Sequence, residues 1–407
     1  MTMNHKSYFE PFRAFLHPYQ KEIKGIYVFS ILSGLVELSL PLGVQTIIGL
    51  VMGAQMITSI YVLIGLVTLG VFFSGKIQMN QMKLIEKVQQ KIFTNIAFEF
   101  GSKIPKFDLK KMDKSYLPEK VNRFFDTMNI QKGMSKILLD IPIASIQIIL
   151  GLILLSLYHP IFLALGLLLL LILFLIFRIT FQNGIATSLY ESDYKYKVVA
   201  WFEEVARTIK SFKLGKINEI SLQKTDHNVS NYLDARTKHF EILLIQFKSL
   251  ITSKVIITFC MLSIGSYLLL NQQLNIGEFI ASEIVILMVI GAVSKLISSL
   301  DSLYDVLTGI EKIKLITDSP LENSGSIELK KSIDGHQLEV IHLDFGFDNQ
   351  SLILNDINFS VLPNQKICIS GGDGSGKSTL IRVLSGNYTD FQGNILINNI
   401  PIQNYNL

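Results

Sequence analysis

The sequence predicts a multi-pass α-helical membrane domain with six transmembrane helices and long cytoplasmic extensions, followed by a shorter α/β region. Three observations carry that expectation. The 407 residues are 49% hydrophobic and only 17% charged, against about 25% charged in an ordinary soluble domain, and their mean hydropathy is +0.40. Six apolar runs recur along the first three quarters of the chain. After Ser298 the character changes to amphipathic helix, linker and strand-like alternation. This composition excludes a disordered or collagen-like chain.

In order along the chain, Met1 to Lys24 is polar and has neither the short apolar stretch nor the small-residue cleavage site of a secretory signal. The apolar runs are Ile26 to Leu50, Ile57 to Phe73, Leu138 to Leu157, Ile161 to Phe177, Leu250 to Leu270 and Phe279 to Ile297. A hydrocarbon core of about 30 Å needs about 20 helical residues, and these runs reach or approach that length. The fourth has no charge and is the clearest span; the sixth, interrupted by Glu283, is the weakest. The connections Val51 to Met56, Tyr158 to Pro160 and Asn271 to Glu278 have no Lys or Arg, whereas Lys76 to Lys136 and Arg178 to Lys254 are rich in both. Basic loops stay on the cytoplasmic side, so both termini are expected inside. Helical stretches such as Lys83 to Ile104 and Trp201 to Lys213 should carry the spans beyond the bilayer. Phe107 to Tyr116 interrupts that pattern, and Phe202 to Phe212 is a second distinctive stretch; as residues alone, each reads equally as a solvated turn.

Glu37 and Glu283 are acidic groups inside spans, where an exposed carboxylate costs about 2.5–3.5 kcal/mol at the helix centre. They are candidates for a translocation path between helices, or else are neutralised, paired, or near enough to an end to reach water. Cys260 and Cys368 lie far apart and give neither a disulfide framework nor a metal cluster; the simpler expectation is two buried thiols. A net charge of +4 is too small to indicate a nucleic-acid partner.

The expected domains are 1–316, the membrane part; 317–335, a linker rich in Pro, Gly and Ser; and 336–407. In the last, Gln337 to His342 and Leu352 to Val361 alternate as strands do, and Gln365 to Ser370 reads as a short buried strand. Directly after it, Gly371-Gly372-Asp373-Gly374-Ser375-Gly376-Lys377-Ser378 fits G-x-x-x-x-G-K-[ST], and Thr379 to Leu384 reads as the helix that follows. The glycines let backbone N–H groups turn around a phosphate, Lys377 reaches the β- and γ-phosphates, and the Ser378 hydroxyl suits Mg²⁺. Gly371 to Thr379 are therefore the candidate ATP-phosphate site, with ATP and Mg²⁺ as cofactors. Asp373 would repel the ligand unless it pointed outward. Gly386, after Leu384-Ser385, reads as a helix stop.

Membrane helices followed by a P-loop in one chain resemble a half-transporter of the ATP-binding cassette (ABC) exporter family. The resemblance rests on Asn275-Ile276-Gly277-Glu278-Phe279, on Glu203-Glu204 to Lys210-Ser211-Phe212, and on the spacing from Phe345-Gly346-Phe347 to the P-loop. It implies a nucleotide-binding domain over 336–407, truncated after the P-loop helix and a following strand pair, with Phe347 in place of the usual Tyr that stacks on adenine. It implies that the stretches near Phe107 to Tyr116 and Glu204 to Phe212 are short coupling helices, and that the partner is a second half-transporter, identical or not. Leu40-Pro41-Leu42-Gly43-Val44-Gln45 resembles the first span of peptide, bacteriocin and type I secretion exporters, which makes a peptide the candidate substrate; the family resemblance as a whole makes a bacterial inner membrane the expected location. The family's Gln loop, Leu-Ser-Gly-Gly-Gln signature, catalytic Glu and switch His do not occur in these residues, so the chain alone is expected not to hydrolyse ATP. The alternatives are a truncated, inactive exporter fragment and a nucleotide sensor that binds without turnover.

Overall fold

The computed structural model describes residues 6–53, 57–112, 116–215, 218–323, 325–333, 335–347 and 351–406. The chain forms two compact units, Met1–Ile96 with Arg123–Ile313, and Ala97–Asn122 with Lys314–Leu407. The first is helical: α1 (Lys6–Leu16), α2 (Gln20–Glu37), α3 (Ser39–Met52), α4 (Ile57–Lys103), whose end reaches the second unit, then α5 (Leu109–Met112) and α6 (Leu117–Val121) of that second unit, and α7 (Asp126–Tyr158), α8 (Pro160–Arg207), α9 (Ile209–Gly215), α10 (Asn218–Leu270) and α11 (Ile276–Thr317).

All six expected spans lie within stretches long and apolar enough to cross a membrane: Phe9–Met52, Thr58–Lys106, Leu117–Tyr158, Pro160–Arg207, Glu219–Leu270 and Ile276–Thr317. With 47, 48 and 53 residues, α4, α8 and α10 rise about 70–80 Å, far more than a bilayer core of about 30 Å, so the spans do continue beyond it. The first span is not one helix. It breaks at Leu38 between α2 and α3, because Pro41 has no N–H to give the Glu37 carbonyl four residues earlier. The polar N-terminus also holds an amphipathic helix, α1, whose Phe9 ring stacks on Phe181 of α8 at 5.3 Å.

Local chemistry fixes the helix starts. Asn275 and Glu278 form a capping box: the Glu278 N–H donates to Asn275 Oδ1 at 2.8 Å and the Asn275 N–H to Glu278 Oε2 at 2.9 Å. His159 caps α8, with Pro160 in the first turn. Of the connections without Lys or Arg, residues 54–56 of Val51 to Met56 lie outside the described residues.

The helical core is built from α7, α8, α10 and α11 around Leu155, Phe162, Leu169, Ile257, Val285 and Val289. A Cβ on Gly184 would lie 2.3 Å from Cζ of Tyr304, so only glycine lets α8 approach α11 here. By contrast Tyr61, Leu66, Phe72 and Phe73 of α4 are exposed, an apolar face suited to lipid rather than water. The helix extensions are joined by polar contacts instead. Asp126 accepts from Tyr196 at 2.6 Å and Lys195 at 3.0 Å, Lys312 pairs with Asp193, and Gln246 donates to Thr180 at 2.7 Å and Tyr304 at 2.8 Å.

The second unit contains β1 (Leu338–Phe345), β2 (Leu354–Val361), α12 (Lys377–Leu384), β3 (Gln392–Ile397) and β4 (Ile400–Pro401). The sheet order is β2-β1-β3-β4 and every pairing is antiparallel, with Val340 opposite Phe359 on one side and Ile395 on the other. The strand pair expected after the P-loop helix is β3 and β4. The strand expected over Gln365 to Ser370 is absent: these residues have no ladder partner and are exposed. Such a strand needs neighbours and a cover on both faces, and the described residues offer it neither. Hence Cys368 is exposed. Cys260, on α10, is only half-buried, so the expectation of two buried thiols is corrected at both.

Ala97–Asn122 belongs to this unit through specific bonds. Phe107 is buried and bridges Leu321, the Asp108 N–H donates to Pro320 O at 3.0 Å, and the Glu322 N–H donates to Lys106 O at 2.8 Å. Lys110 lies 4.9 Å from the Phe345 ring centroid and pairs with Asp390 at 2.8 Å. The interruption expected near Phe107 to Tyr116 is present as a short turn and α5; residues 113–115 lie outside the described residues. The second stretch is broken at Thr208, between α8 and α9.

Candidate functional site

The P-loop runs into α12, as the motif requires. Leu380 and Val383 on one side of that helix are buried with Val340, Leu343, Phe345 and Ile395, which anchors the helix and leaves Gly371 to Ser375 exposed. Gly374 (φ +76°) and Gly376 (φ +85°) adopt left-handed backbone that side chains disfavour. A first helical turn has no intrahelical acceptors for its N–H groups, so those of Lys377, Ser378 and Thr379 are available to a ligand at the positive end of the helix dipole. Leu380 closes the turn, its N–H donating to Gly376 O at 2.8 Å.

Lys377 Nζ donates to Gly371 O at 2.9 Å and Gly372 O at 2.7 Å, with Ser375 Oγ at 3.5 Å. The ammonium thus lies across the loop. Asp373 is exposed, and Lys377 makes its contacts with the loop carbonyls and Ser375. The α12 helix stops where Gly386 predicts: Gly386 has φ +77°, and the Asn387 N–H returns to Arg382 O at 2.9 Å. The residues fit a bound nucleotide phosphate and a Mg²⁺ beside Ser378, because amide donors, an ammonium and a hydroxyl converge on one exposed loop.

Phe347 is partly buried against the same core. Its ring packs edge-on to Phe345 at 5.4 Å and to Tyr388 at 5.5 Å, while Phe345 and Tyr388 stack at 5.2 Å and 7°. Arg382 donates to Tyr388 Oη at 2.9 Å, tying this trio to α12. Tyr388, which the sequence reading did not single out, packs against Phe347; the signal available was an aromatic just past the helix stop.

In the helical unit, Glu37 is half-buried and receives four donors. Oε1 accepts from Gln78 at 3.0 Å, Ser74 at 3.2 Å and Ser33 at 3.3 Å; Oε2 accepts from Gln147 at 2.6 Å. Glu283 Oε1 is buried without a hydrogen-bond partner among the described residues. The two acidic groups therefore stand in different surroundings. The donors to Glu37 were only partly legible in the sequence: Ser33/Glu37 is an i,i+4 polar pair within the first apolar run, whereas Ser74 and Gln78 lie just past the second.

Six membrane-crossing helices with a P-loop unit in the same chain define a polytopic membrane protein that carries a nucleotide-binding fold. Comparison with known families gives the same class: the ABC transporter transmembrane region matches residues 25–293, and the ABC transporter family matches residues 354–407. The chain belongs to the ABC transporter family. It is 28% identical over 158 residues to a "Multidrug resistance ABC transporter ATP-binding and permease protein" of Lactococcus lactis subsp. lactis (strain IL1403), covering 38% of this chain and 26% of that protein. An "ATP-dependent lipid A-core flippase" of Burkholderia thailandensis is 24% identical over 231 residues, 56% of this chain and 36% of that protein. A flippase of the same name from Pseudomonas syringae pv. tomato is 42% identical over 86 residues, 21% of this chain and 14% of that protein. The chain thus spans well under half the length of these relatives.

Proposed function

We propose that this chain is one half of an ATP-driven exporter, with residues 1–316 as the transmembrane domain, 317–335 as the linker and 336–407 as part of the nucleotide-binding domain. The observation that supports it most is the P-loop on α12, exposed and anchored, in a chain whose helical part matches the ABC transmembrane region. Gly371 to Thr379 cradle the ATP phosphates, Ser378 ligates Mg²⁺ and Phe347 stacks on adenine. A second half-transporter, identical or not, faces the P-loop and supplies the opposing part of the ATP site. Both termini lie in the cytoplasm, a reading the two basic segments support, and the membrane is a bacterial inner membrane. Leu40 to Gln45 favours a peptide as the substrate. Glu37 and Glu283 line its path.

The test is ATP binding and hydrolysis by the detergent-purified chain beside Lys377→Ala. Turnover that depends on Lys377 would identify a working subunit whose opposing part is supplied in trans; Lys377-dependent binding without turnover, the result expected of the chain alone, would favour the inactive alternative, and binding that ignores Lys377 would overturn the assignment of the site.

A further inference from the structure

The break in the first span and the surroundings of Glu37 coincide, and together they describe a ligand. At the break Pro41 leaves the Glu37 carbonyl without its α-helical donor. Glu37 Oε1 takes three donors but Oε2 takes only that of Gln147. A carboxylate oxygen has more than one acceptor site, so Oε2 has capacity left. Ser39 Oγ, one residue past the break, is buried without a partner.

All four donors to Glu37 are neutral. They satisfy hydrogen bonds without supplying a countercharge, and no Lys, Arg or His among the described residues forms an ion pair with Glu37. The same helix handles its other buried acid differently: Glu22 is met by Lys91 at 2.6 Å and Lys87 at 3.6 Å. An intramembrane acid without a cation is costly unless a cation arrives.

Glu37 borders a cavity of about 440 Å³ that Ser39 also lines, within the usual range of small-molecule sites, about 300–1,000 Å³. Val71, Pro41, Ile284 and Met288 give it apolar walls, and Glu37, Gln78, Ser39 and Ser74 supply its polar part. No aromatic ring among the described residues lines it, so they form no cage of the kind that favours quaternary ammonium, and its acceptors call for a cation that donates hydrogen bonds.

We infer that this cavity binds the protonated amine or guanidinium of an otherwise apolar molecule, with Glu37 as its countercharge. The inference rests on reading the helical unit as the substrate-carrying part, and its test needs no nucleotide, so its failure leaves the P-loop reading standing.

The test is equilibrium binding of dansylcadaverine, whose terminal amine is free and protonated at neutral pH, and of its analogue with a terminal hydroxyl in place of that amine, to the full chain in lipid nanodiscs, read by dansyl fluorescence. A charge-assisted contact predicts about tenfold or greater preference for the amine. Glu37→Gln should reduce amine affinity to that of the alcohol while leaving the alcohol unchanged. Gly75 lines the cavity, and a Cβ there meets nothing within 4 Å, so Gly75→Leu should fill the space and abolish binding of both probes with Glu37 intact. Equal affinities in the wild type, a preference surviving Glu37→Gln, or amine binding surviving Gly75→Leu would each overturn the inference. Should Glu37→Gln fail to insert, the wild-type comparison and Gly75→Leu still decide it.

Discussion

Removing the Lys377 ammonium is the sharpest perturbation of the nucleotide site. In the structure Nζ is held by two loop carbonyls, at 2.9 and 2.7 Å, and a phosphate must draw it away from them. Exchanging neutral acceptors for an anion leaves a net charge-assisted contact of about 1.5–3 kcal/mol. Lys377→Ala should therefore weaken ATP binding about 10- to 150-fold. The loop is exposed and α12 is anchored by Leu380 and Val383 on its other side, so thermal unfolding should barely move. The assay is titration of the purified chain with a fluorescent ATP analogue, with and without Mg²⁺, beside a melting curve of each variant. Lys377→Arg, which keeps the charge but not the point geometry, should fall between. Unchanged affinity in Lys377→Ala, or a loss matched by a large drop in melting temperature, would refute the reasoning.

Other expectations follow from the same geometry. Phe347→Ala should weaken nucleotide binding by about 1–3 kcal/mol, the range of base–aromatic stacking, while Phe347→Tyr keeps it; equal binding by all three proteins would remove Phe347 from the site. Gly184→Ala should destabilise the helical unit by about 1–3 kcal/mol through overpacking, because Tyr304 is fully buried and its hydroxyl is held by Gln246 at 2.8 Å; an unaltered melting temperature in micelles would argue against that close approach. The His342 imidazole at 2.6 Å, with Asn358 second, holds the Asp356 carboxyl below its ordinary value. Its contribution to stability is complete above the unfolded value of about 3.9 and is lost as pH falls through the depressed native one. Asp356 has φ +49°, which Asn also tolerates, so Asp356→Asn should melt lower near neutrality and converge with wild type in acid. A gap that persists into acid would show that charge is not the cause.

The spans were legible because lipid imposes a length and a composition that nothing else in the chain imitates, and the P-loop because its glycines and lysine have no packing purpose. What the sequence concealed was set by neighbours. The Leu38 break follows from Pro41, yet a hydropathy window averages across it. Gln365 to Ser370 has the pattern of a buried strand, but pattern supplies no partners, and among the described residues the segment has none. Phe347 was singled out only through the family resemblance; Tyr388, Phe345 and Lys110, which surround or extend its aromatic group, come together only through tertiary packing.

That the Ala97–Asn122 segment folds with residues beyond Lys314 has a practical consequence for anyone recombining such transporters. The linker looks like the natural seam for a domain swap, but a graft made there would carry Asp390 and Phe345 into a host lacking the matching Lys110, and would strip Leu321 of Phe107. The transferable module is discontinuous: two pieces of chain, far apart in the gene, must travel together. During synthesis the earlier piece is likewise made long before its complement, and waits for it while the intervening helices enter the bilayer.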